Sequence, residues 1–286
     1  MTGQLLPSDG PKTTAAVTDW ERTEDYEQRE REIYARADLL AAISEEDRRG
    51  MRELVPGLPV ELLPMIAEAA PAGPNFSARE GFCFLGNFDN LANQDALSWL
   101  LEEIWPGVRE RLPEARLFLA GNNLPAERIA QRSGIVCLGH VPELESLWER
   151  HRVFLSPIRF GTGIKTKNLA ALAHGMPLVT TTIGSEAMSL SAETPALIAD
   201  TTPEFVAATV RTYRDESLRE VLACNGRTHI LREWQQAEQI LTAGLTDFPP
   251  ARNLPEALAE VRRVQAGQPR FWPDTAASPI PPTGPD

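Results

Sequence analysis

The sequence has few cysteines, no long apolar run and no excess of positive charge. Its three cysteines, Cys83, Cys137 and Cys224, lie far apart, which argues against a disulfide framework or a cysteine metal site and predicts buried free thiols in a cytoplasmic protein. No stretch approaches the roughly 18 consecutive apolar residues of a membrane-spanning helix. The amino terminus has neither the basic start nor the apolar core of a signal peptide. A net charge of −12 argues against nucleic acid as the main partner.

The composition that remains is that of a globular protein. A chain of 286 residues with 42% hydrophobic residues is long enough for one or two domains. The four histidines do not have the spacing of metal ligands, so we expect no metal site and assign them to packing or to the surface. They are His140, His151, His174 and His229.

The first 80 residues predict a polar lead, a few short elements and a linker. Residues 1–18 are polar and read as a disordered lead, and a charged helical pattern follows from Trp20 to Ala37. Short strands are predicted at Leu39–Ile43 and Val60–Leu63, on either side of a helix that Ser44 caps and that ends near Leu54. Residues 65–80, in which prolines and a glycine follow in close succession, resemble a linker.

Strands alternate with helices from Gly81 to about Arg232, which predicts an α/β fold with a parallel sheet covered on both faces. Apolar runs predict strands at Phe82–Leu85, Arg116–Ala120, Ile135–Leu138, Val153–Leu155, Leu178–Thr182 and Ala196–Ala199. Amphipathic or capped stretches predict helices at Gln94–Arg111, Pro125–Gln131, Glu143–Arg150, Lys165–Ala173, Pro203–Tyr213 and Ser217–Leu241. Leu254–Gln265 is a further candidate helix before a proline-rich end.

The segment Ser156–Thr182 has the pattern of a strand, a glycine loop, a helix and a second strand. Gly161 and Gly163 open the loop, and the free N–H groups at the start of the following helix favour an anion. Positive charge is added at the same place by Arg159, Lys165 and Lys167, so a diphosphate is the expected ligand. Spacing alone also fits a solvated basic face on a sterically required glycine turn. The segment lacks both the Walker pattern and the G-x-G-x-x-G pattern.

Three predicted strands end in glycine followed by a polar residue. In an open parallel sheet the carboxyl ends of the strands form the ligand crevice. Glycine at these ends favours close approach of a ligand to the backbone, although a tight turn alone would also select it. The three pairs are Gly86-Asn87, Gly121-Asn122 and Gly161-Thr162.

Taken together, these motifs resemble the carboxyl-terminal half of group 1 glycosyltransferases, which have the GT-B fold and use nucleotide-sugar donors. The resemblance runs over about 150 residues in register. It is carried by Phe84-Leu-Gly-Asn-Phe, Asn93-Gln-Asp-Ala-Leu, Trp105-Pro, Ala120-Gly-Asn-Asn, Leu138-Gly-His-Val, Leu155-Ser-Pro-Ile-Arg-Phe-Gly-Thr-Gly-Ile-Lys-Thr-Lys and Ala173-His-Gly-Met-Pro-Leu-Val. Residues Tyr34–Asp47 resemble the end of the family's first domain.

The resemblance implies a Rossmann-like doubly wound parallel sheet that binds the nucleotide, preceded by a small α/β remnant of the amino-terminal domain. The implied parts are a lead at 1–18, the remnant and linker at 19–75, the nucleotide-sugar domain at 76–245 and a proline-rich tail at 246–286. Because so little precedes residue 76, the resemblance suggests a truncated chain, a separate polypeptide or homo-oligomer that supplies the missing half, or a protein that works differently.

Three positions depart from the family's pattern. The family commonly carries a sugar-binding glutamate in the glycine loop and a ribose-binding glutamate eight positions later, where this chain has Thr162 and Ala170. Alanine cannot accept the charge-assisted hydrogen bonds of the ribose hydroxyls. The basic pair often found after the first strand is also missing, and Asn87 stands there.

The resemblance implies transfer of a hexose from a UDP- or GDP-sugar, with retention at the anomeric carbon and without a cofactor. It places Arg159 and Lys165 at the diphosphate, with backbone N–H groups of Gly161, Thr162 and Gly163. Candidate lining residues are Gly86, Asn87, Gly121 and, near the sugar, Glu186; no catalytic base is identified. The alternatives are a non-catalytic module that binds a nucleotide or a partner chain, and a structural subunit that docks on a larger enzyme.

Overall fold

The computed structural model describes residues 27–246 except 64, 66, 68–69, 71–75, 130–131, 162, 189 and 191–194. The expected lead at 1–18, the candidate helix Leu254–Gln265 and the tail therefore lie outside the described residues. The chain divides into two units, Met1–Ile240 and Leu241–Asp286. Only the end of the last helix is described in the second unit. The domain boundary expected near residue 76 stays a prediction.

Strands and helices alternate in the described residues as the sequence predicts. The strands are β1 (Leu40–Ala42), β2 (Val60–Leu62), β3 (Glu80–Leu85), β4 (Leu117–Ala120), β5 (Ile135–Gly139), β6 (His151–Ser156), β7 (Leu178–Thr180) and β8 (Ala196–Ile198). The helices are α1 (27–34), α2 (Glu45–Leu54), α3 (Leu91–Trp99), α4 (Trp105–Arg111), α5 (Ala126–Ile129), α6 (Glu145–Arg150), α7 (Thr166–Ala173), α8 (Thr202–Arg214) and α9 (Glu216–Thr246).

Six of the strands form one parallel sheet in the order β5-β4-β3-β6-β7-β8. The chain builds outward from β3 to β5 on one side and then returns to place β6 on the other side of β3. The order therefore reverses between β3 and β6, which register at Phe82↔Val153. In a doubly wound sheet this reversal opens a crevice at the carboxyl ends of the two strands. The doubly wound fold predicted from the sequence is confirmed.

Both faces of the sheet are buried, and alternate residues of each strand serve different faces. Phe82 and Phe84 of β3 belong to one apolar cluster, and Cys83 between them belongs to the other. The first cluster is covered by α3, α4 and α8, the second by α6, α7 and α9. This two-sided burial explains why the strands appear in the sequence as short continuous apolar runs.

The small amino-terminal element also has the predicted form. β1 and β2 pair in parallel, with Leu40 opposite Val60. Ser44 caps α2 by accepting a hydrogen bond from the Asp47 amide at 3.0 Å. The capping residue and both strands are therefore confirmed.

The helix before β4 differs from the prediction in its start and in its middle. It begins at Leu91, three residues before Gln94, because the Asn90 side chain accepts from the amides of Ala92 and Asn93. A π-helical turn, Leu100–Ile104, then separates α3 from α4. Pro106 lacks an amide donor for the helix ladder, and a widened turn accommodates that loss.

The prediction of three buried thiols is correct only for Cys83. Burial raises the pKa of Cys83 well above its ordinary value. Cys137 is exposed because β5 is an edge strand of the sheet, and Cys224 is exposed on the surface of α9. Within the described ranges, every helix is too short or too polar to cross a lipid bilayer.

Candidate functional site

The crevice between β3 and β6 is bordered by two loops that the sequence singled out. The turn after β3 begins with Gly86 and Asn87 and ends at Asn90, the cap of α3. The segment after β6 runs from Pro157 to Lys165, the residue that precedes α7. The strand order reverses between β3 and β6, and five of the predicted residues therefore lie at the carboxyl ends of these two strands: Gly86, Asn87, Gly161, Gly163 and Lys165. Thr162 lies outside the described residues.

The turns after β3 and β4 pack directly against each other. Gly86 donates to the Ala120 carbonyl at 3.1 Å, and Phe88 donates to the Asn122 carbonyl at 3.0 Å. Gly121 has φ of +129°, and a Cβ atom there would overlap the Gly86 carbonyl oxygen. Glycine at 121 is therefore required by this packing, whether or not a ligand lies beside it.

Lys165 is enclosed by its own loop. Its ammonium donates to the carbonyl oxygens of Gly161 at 3.1 Å and Gly163 at 2.6 Å, and it lies 3.9 Å from a carboxylate oxygen of Glu186. Burial lowers the pKa of Lys165 below its ordinary value, and the Glu186 charge partly raises it again. Gly161 and Gly163 both have positive φ, which lets the loop fold around the amine.

Arg159 is held by α3. Its Nε and Nη2 atoms donate to the two carboxylate oxygens of Asp95 at 2.9 and 2.6 Å, and the guanidinium stacks 5.0 Å from the Trp99 ring centre. The hydrogen bond to Asp95 raises the pKa of Arg159. The two cations expected at the diphosphate are thus on one loop, but each has its own set of partners.

Lys167 crosses the crevice from α7 to the β3 side. Its ammonium donates to Asn93 Oδ1 at 2.6 Å and lies 4.9 Å from the centre of the Phe84 ring. Asn93 in turn donates to the Asn87 carbonyl at 2.8 Å. Burial, and then the charge of Lys165, lower the pKa of Lys167 to about 7.

Glu186 follows a short 3₁₀ turn, Ile183–Ser185, that a buried polar network fixes. The Asn168 amide of α7 donates to the Gly184 carbonyl at 2.7 Å, and Gly184 donates to the Thr181 hydroxyl at 2.8 Å. Thr181 donates to the Ile158 carbonyl of the loop after β6. The network ties Glu186 to the same two elements that carry Lys165.

Ala170 lies one helical turn after Lys167 on α7. Its side chain is partly buried and packs against the second apolar cluster. The position at which the resemblance implies a ribose-binding glutamate therefore contributes packing in this chain.

An open hollow of about 740 Å³ lies beside the crevice, at the carboxyl ends of β4 and β5. Gly121 and Gly139 line it, together with a polar rim. In that rim His140 Nδ1 pairs with Asn122 Oδ1 at 2.8 Å, and Asn123 donates to Asp89 at 2.7 Å. Among the described residues, no three His, Cys, Asp or Glu side chains come together as a metal site would need.

The sequence patterns assign no role to Asp95, Asn93 or the hollow. They group Lys167 with Arg159 and Lys165 only because the three residues are close in the sequence. Asp95 and Asn93 are 64 and 74 residues from their cationic partners, so periodicity does not signal the pairing. The signal that was available is the sheet order. Once β3 and β6 are neighbours, the start of α3 faces the loop after β6.

Comparison with known proteins agrees with this architecture. Residues 79–215 match the family model described as Glycosyl transferases group 1, so the resemblance inferred from the motifs is confirmed for this segment. An uncharacterized 44.6 kDa protein in the cps region of Klebsiella pneumoniae is 31% identical over 113 residues, which cover 36% of this chain and 29% of the relative.

Solved structures share the fold at low sequence identity. TarM of S. aureus has a TM-score of 0.64 with 13% identity, covering 79% of this chain and 45% of TarM. Sucrose-phosphate synthase from Thermosynechococcus elongatus has a TM-score of 0.59 with 16% identity, covering 85% of this chain and 62% of the synthase. HepE of Anabaena, in complex with UDP and glucose, has a TM-score of 0.58 with 10% identity, covering 74% of this chain and 64% of HepE.

These comparisons show a glycosyltransferase fold of the GT-B type, as predicted from the sequence. The chain spans less than a third of the Klebsiella relative and about half to two thirds of the solved structures it matches.

Proposed function

We propose that the group 1 glycosyltransferase segment at 79–215 binds a nucleoside diphosphate sugar in the crevice between β3 and β6. The bound donor is a UDP- or GDP-sugar, and no further cofactor takes part. With an acceptor-binding half in place, the protein transfers the donor's hexose. The transfer is proposed to take place in the cytoplasm, where nucleotide sugars are made.

One observation carries this proposal: Lys165 lies at the start of α7 on the glycine loop that borders the switch point. A helix start favours an anion through its free N–H groups and its dipole, and a lysine beside it adds a full charge. The crevice at the switch point is where doubly wound sheets bind their ligands. The three features meet at one place in this structure.

The present partners of Lys165 suggest how the diphosphate is held. Two backbone carbonyl oxygens occupy its donors, and a diphosphate oxygen is a stronger, charged acceptor. Exchange of the carbonyls for the diphosphate frees the loop to present its N–H groups. During transfer, the same ammonium would stabilise negative charge on the leaving nucleoside diphosphate.

Arg159 is proposed as a second diphosphate contact. Its guanidinium can make this contact only after it gives up its hydrogen bonds to Asp95. The hollow at the ends of β4 and β5 gives the rest of the nucleotide space beside the crevice, with Gly121, Asn122 and His140 at its rim. Glu186, held near Lys165, is placed to contact the donor sugar.

A separate polypeptide or a second copy of the chain is proposed to supply the acceptor-binding half. The chain covers about half of several neighbours, and one of these neighbours, the GtfA/B complex, is an assembly by its title. We do not favour the non-catalytic module, because the glycine loop and the switch-point geometry are retained.

Calorimetric titration of the purified chain with UDP, GDP and UDP-glucose tests the binding claim. Saturable binding of one of these at micromolar to millimolar concentration is expected. A donor-hydrolysis assay on the same samples then separates a competent site from a binding module. Absence of binding to all three nucleotides would refute the proposed function.

A further inference from the structure

Lys167 lies where the two sides of the crevice meet. It belongs to the first turn of α7, yet its ammonium reaches the β3 side, 2.6 Å from Asn93 Oδ1 and 4.9 Å from the Phe84 ring centre. Asn93 connects it to the Asn87 carbonyl of the turn after β3. Through Asn93, the Lys167 side chain therefore connects α7 with the turn after β3.

The ammonium of Lys167 has no carboxylate among its described partners. Arg159 is paired with Asp95, and Lys165 lies near Glu186, but Lys167 contacts only an amide oxygen and an aromatic face. The charge of Lys165 repels it and lowers its pKa. A buried cation without a counter-charge is costly, and an arriving anion removes that cost.

The turn after β3 has no cation of its own. Its residues Gly86 to Asn90 are Gly, Asn, Phe, Asp and Asn. A diphosphate in the crevice would meet positive charge only on the α7 side unless another residue reached across.

We infer that Lys167 is a diphosphate-binding residue, which supplies from α7 the positive charge that the β3 side of the crevice lacks. The inference rests on the proposed function and assigns it a further residue. Lys167 exchanges its hydrogen bond to Asn93 for one to a phosphate oxygen, while Lys165 holds the loop side of the same group. Asn93 then keeps its bond to Asn87, so the turn after β3 stays in place.

Binding through Lys167 carries a proton signature. Because the pKa of Lys167 is about 7 in the free protein, the side chain is largely neutral at pH 8.5. A phosphate anion raises that pKa, so binding at pH 8.5 takes up a proton and is weaker than at pH 6.5. Lys165 is the charged group that acts on Lys167, and it lies 3.9 Å from Glu186, while Arg159 on the same loop is paired with Asp95.

The first experiment compares UDP affinity by calorimetry in the full chain and three variants. Lys167→Met should lose about tenfold or more in affinity, the usual size of a charge-assisted contact. Lys167→Arg should retain most of the affinity. Arg150→Met is the matched control, because Arg150 ends α6 directly before β6, at the end of that strand opposite to the crevice, and it should bind like the wild type.

The second experiment uses the wild-type chain, so it does not depend on whether a variant folds. The chain has three lysines, at 12, 165 and 167, so selective ¹³C labelling of lysine gives three side-chain signals. Titration from pH 5.5 to 10 should show one amine with a pKa near 7, and saturating UDP or inorganic pyrophosphate should shift that pKa upward by a unit or more.

A purely structural Lys167 gives different results. It would make Lys167→Met less stable without changing UDP affinity. UDP would then leave the lysine signal with a pKa near 7 unmoved, while the Lys165 signal would still respond. Wild-type binding with unchanged affinity in Lys167→Met overturns the assignment of Lys167 and leaves the proposed function standing. Failure of UDP, GDP and pyrophosphate to bind the wild type overturns both.

Discussion

At the scale of single residues, the three cations of the loop and of α7 differ in what holds them. Arg159 is fixed by a carboxylate on α3, Lys165 by carbonyls of its own loop, and Lys167 by an amide across the crevice. A neutral partner is easier to exchange for a phosphate than a charged one, because the departing contact is weaker. Lys165 and Lys167 are therefore better prepared for an anion than Arg159.

Lys165→Ala should lower the affinity for UDP by about 1–3 kcal/mol, since it removes a charge-assisted contact to the diphosphate. Calorimetric titration at pH 7 measures the loss. Arg150→Ala, which removes one charge at the amino-terminal end of β6, opposite to the crevice, should leave the affinity unchanged. Equal affinity in Lys165→Ala and the wild type would remove Lys165 from the site.

Asp95→Asn should release Arg159 from its two-pronged ion pair. If Arg159 contacts the diphosphate, the released guanidinium no longer has to leave a carboxylate, and UDP affinity should rise a few-fold. The double variant Asp95→Asn with Arg159→Met is the control, and it should lose the gain. An unchanged affinity in Asp95→Asn would indicate that Arg159 only braces α3 against the loop.

Lys167 also makes stability depend on pH. Its folded pKa of about 7 lies below the ordinary value of 10.5, so between these pH values the unfolded chain holds a proton that the folded chain does not. Stability from this group therefore rises as the pH increases from 7 toward 10. Lys167→Met should be more stable than the wild type at pH 7, because it removes the cost of holding a buried charge, and should lose much of this rise. Urea unfolding at pH 7 and pH 9 measures both effects, and a wild type with no rise would contradict them.

At the scale of elements, close packing of turns shapes the edge of the sheet that carries the site. Gly121 should not tolerate a side chain, because its φ of +129° and the Gly86 carbonyl both exclude a Cβ. Gly121→Ala should cost at least about 2 kcal/mol of unfolding free energy.

Gly50→Ala is the matched control for that substitution. Gly50 lies inside α2, and the space that a Cβ atom would occupy there is open, so alanine should stabilise the protein by about 0.5–1 kcal/mol. Thermal unfolding of the two variants in parallel gives the comparison. A Gly121→Ala variant as stable as the wild type would show that the turns after β3 and β4 can separate.

The elements themselves follow from local sequence signals. Alternation and capping predict β3 to β8 and their helices because each signal lies within the element it specifies. Thr201, for example, caps α8 by accepting a hydrogen bond from the Glu204 amide, and the Glu204 side chain accepts one from the Thr201 amide. The start of α3 at Leu91 was missed because Asn90 follows several other turn-forming residues. The exposure of Cys137 depends on β5 being an outer strand of the sheet. The sequence of a strand does not indicate its position in the sheet.

The candidate site was predictable only on one side. The glycine loop and its lysines form a local pattern, so the sequence indicates an anion site after β6. The contribution of α3 is not local, because Asn93 and Asp95 reach the loop only through the crossing from β3 to β6.

At the scale of the whole molecule, the described residues combine a six-stranded doubly wound sheet with a small parallel pair, β1 and β2. A net charge of −12 repels a free nucleotide sugar, so under the proposed function the positive charge that meets the donor has to be concentrated in the crevice. Donor binding is therefore expected to depend on three cations within nine residues, and transfer on a further half that brings the acceptor.

A crystal structure of the chain with UDP tests the central claim most directly. The account predicts diphosphate oxygens in the crevice between β3 and β6, within about 3.5 Å of Lys165 Nζ, with the Gly161 and Gly163 carbonyls displaced from that amine. UDP bound on another surface, or Lys165 still donating to both carbonyls in a saturated crystal, would contradict it.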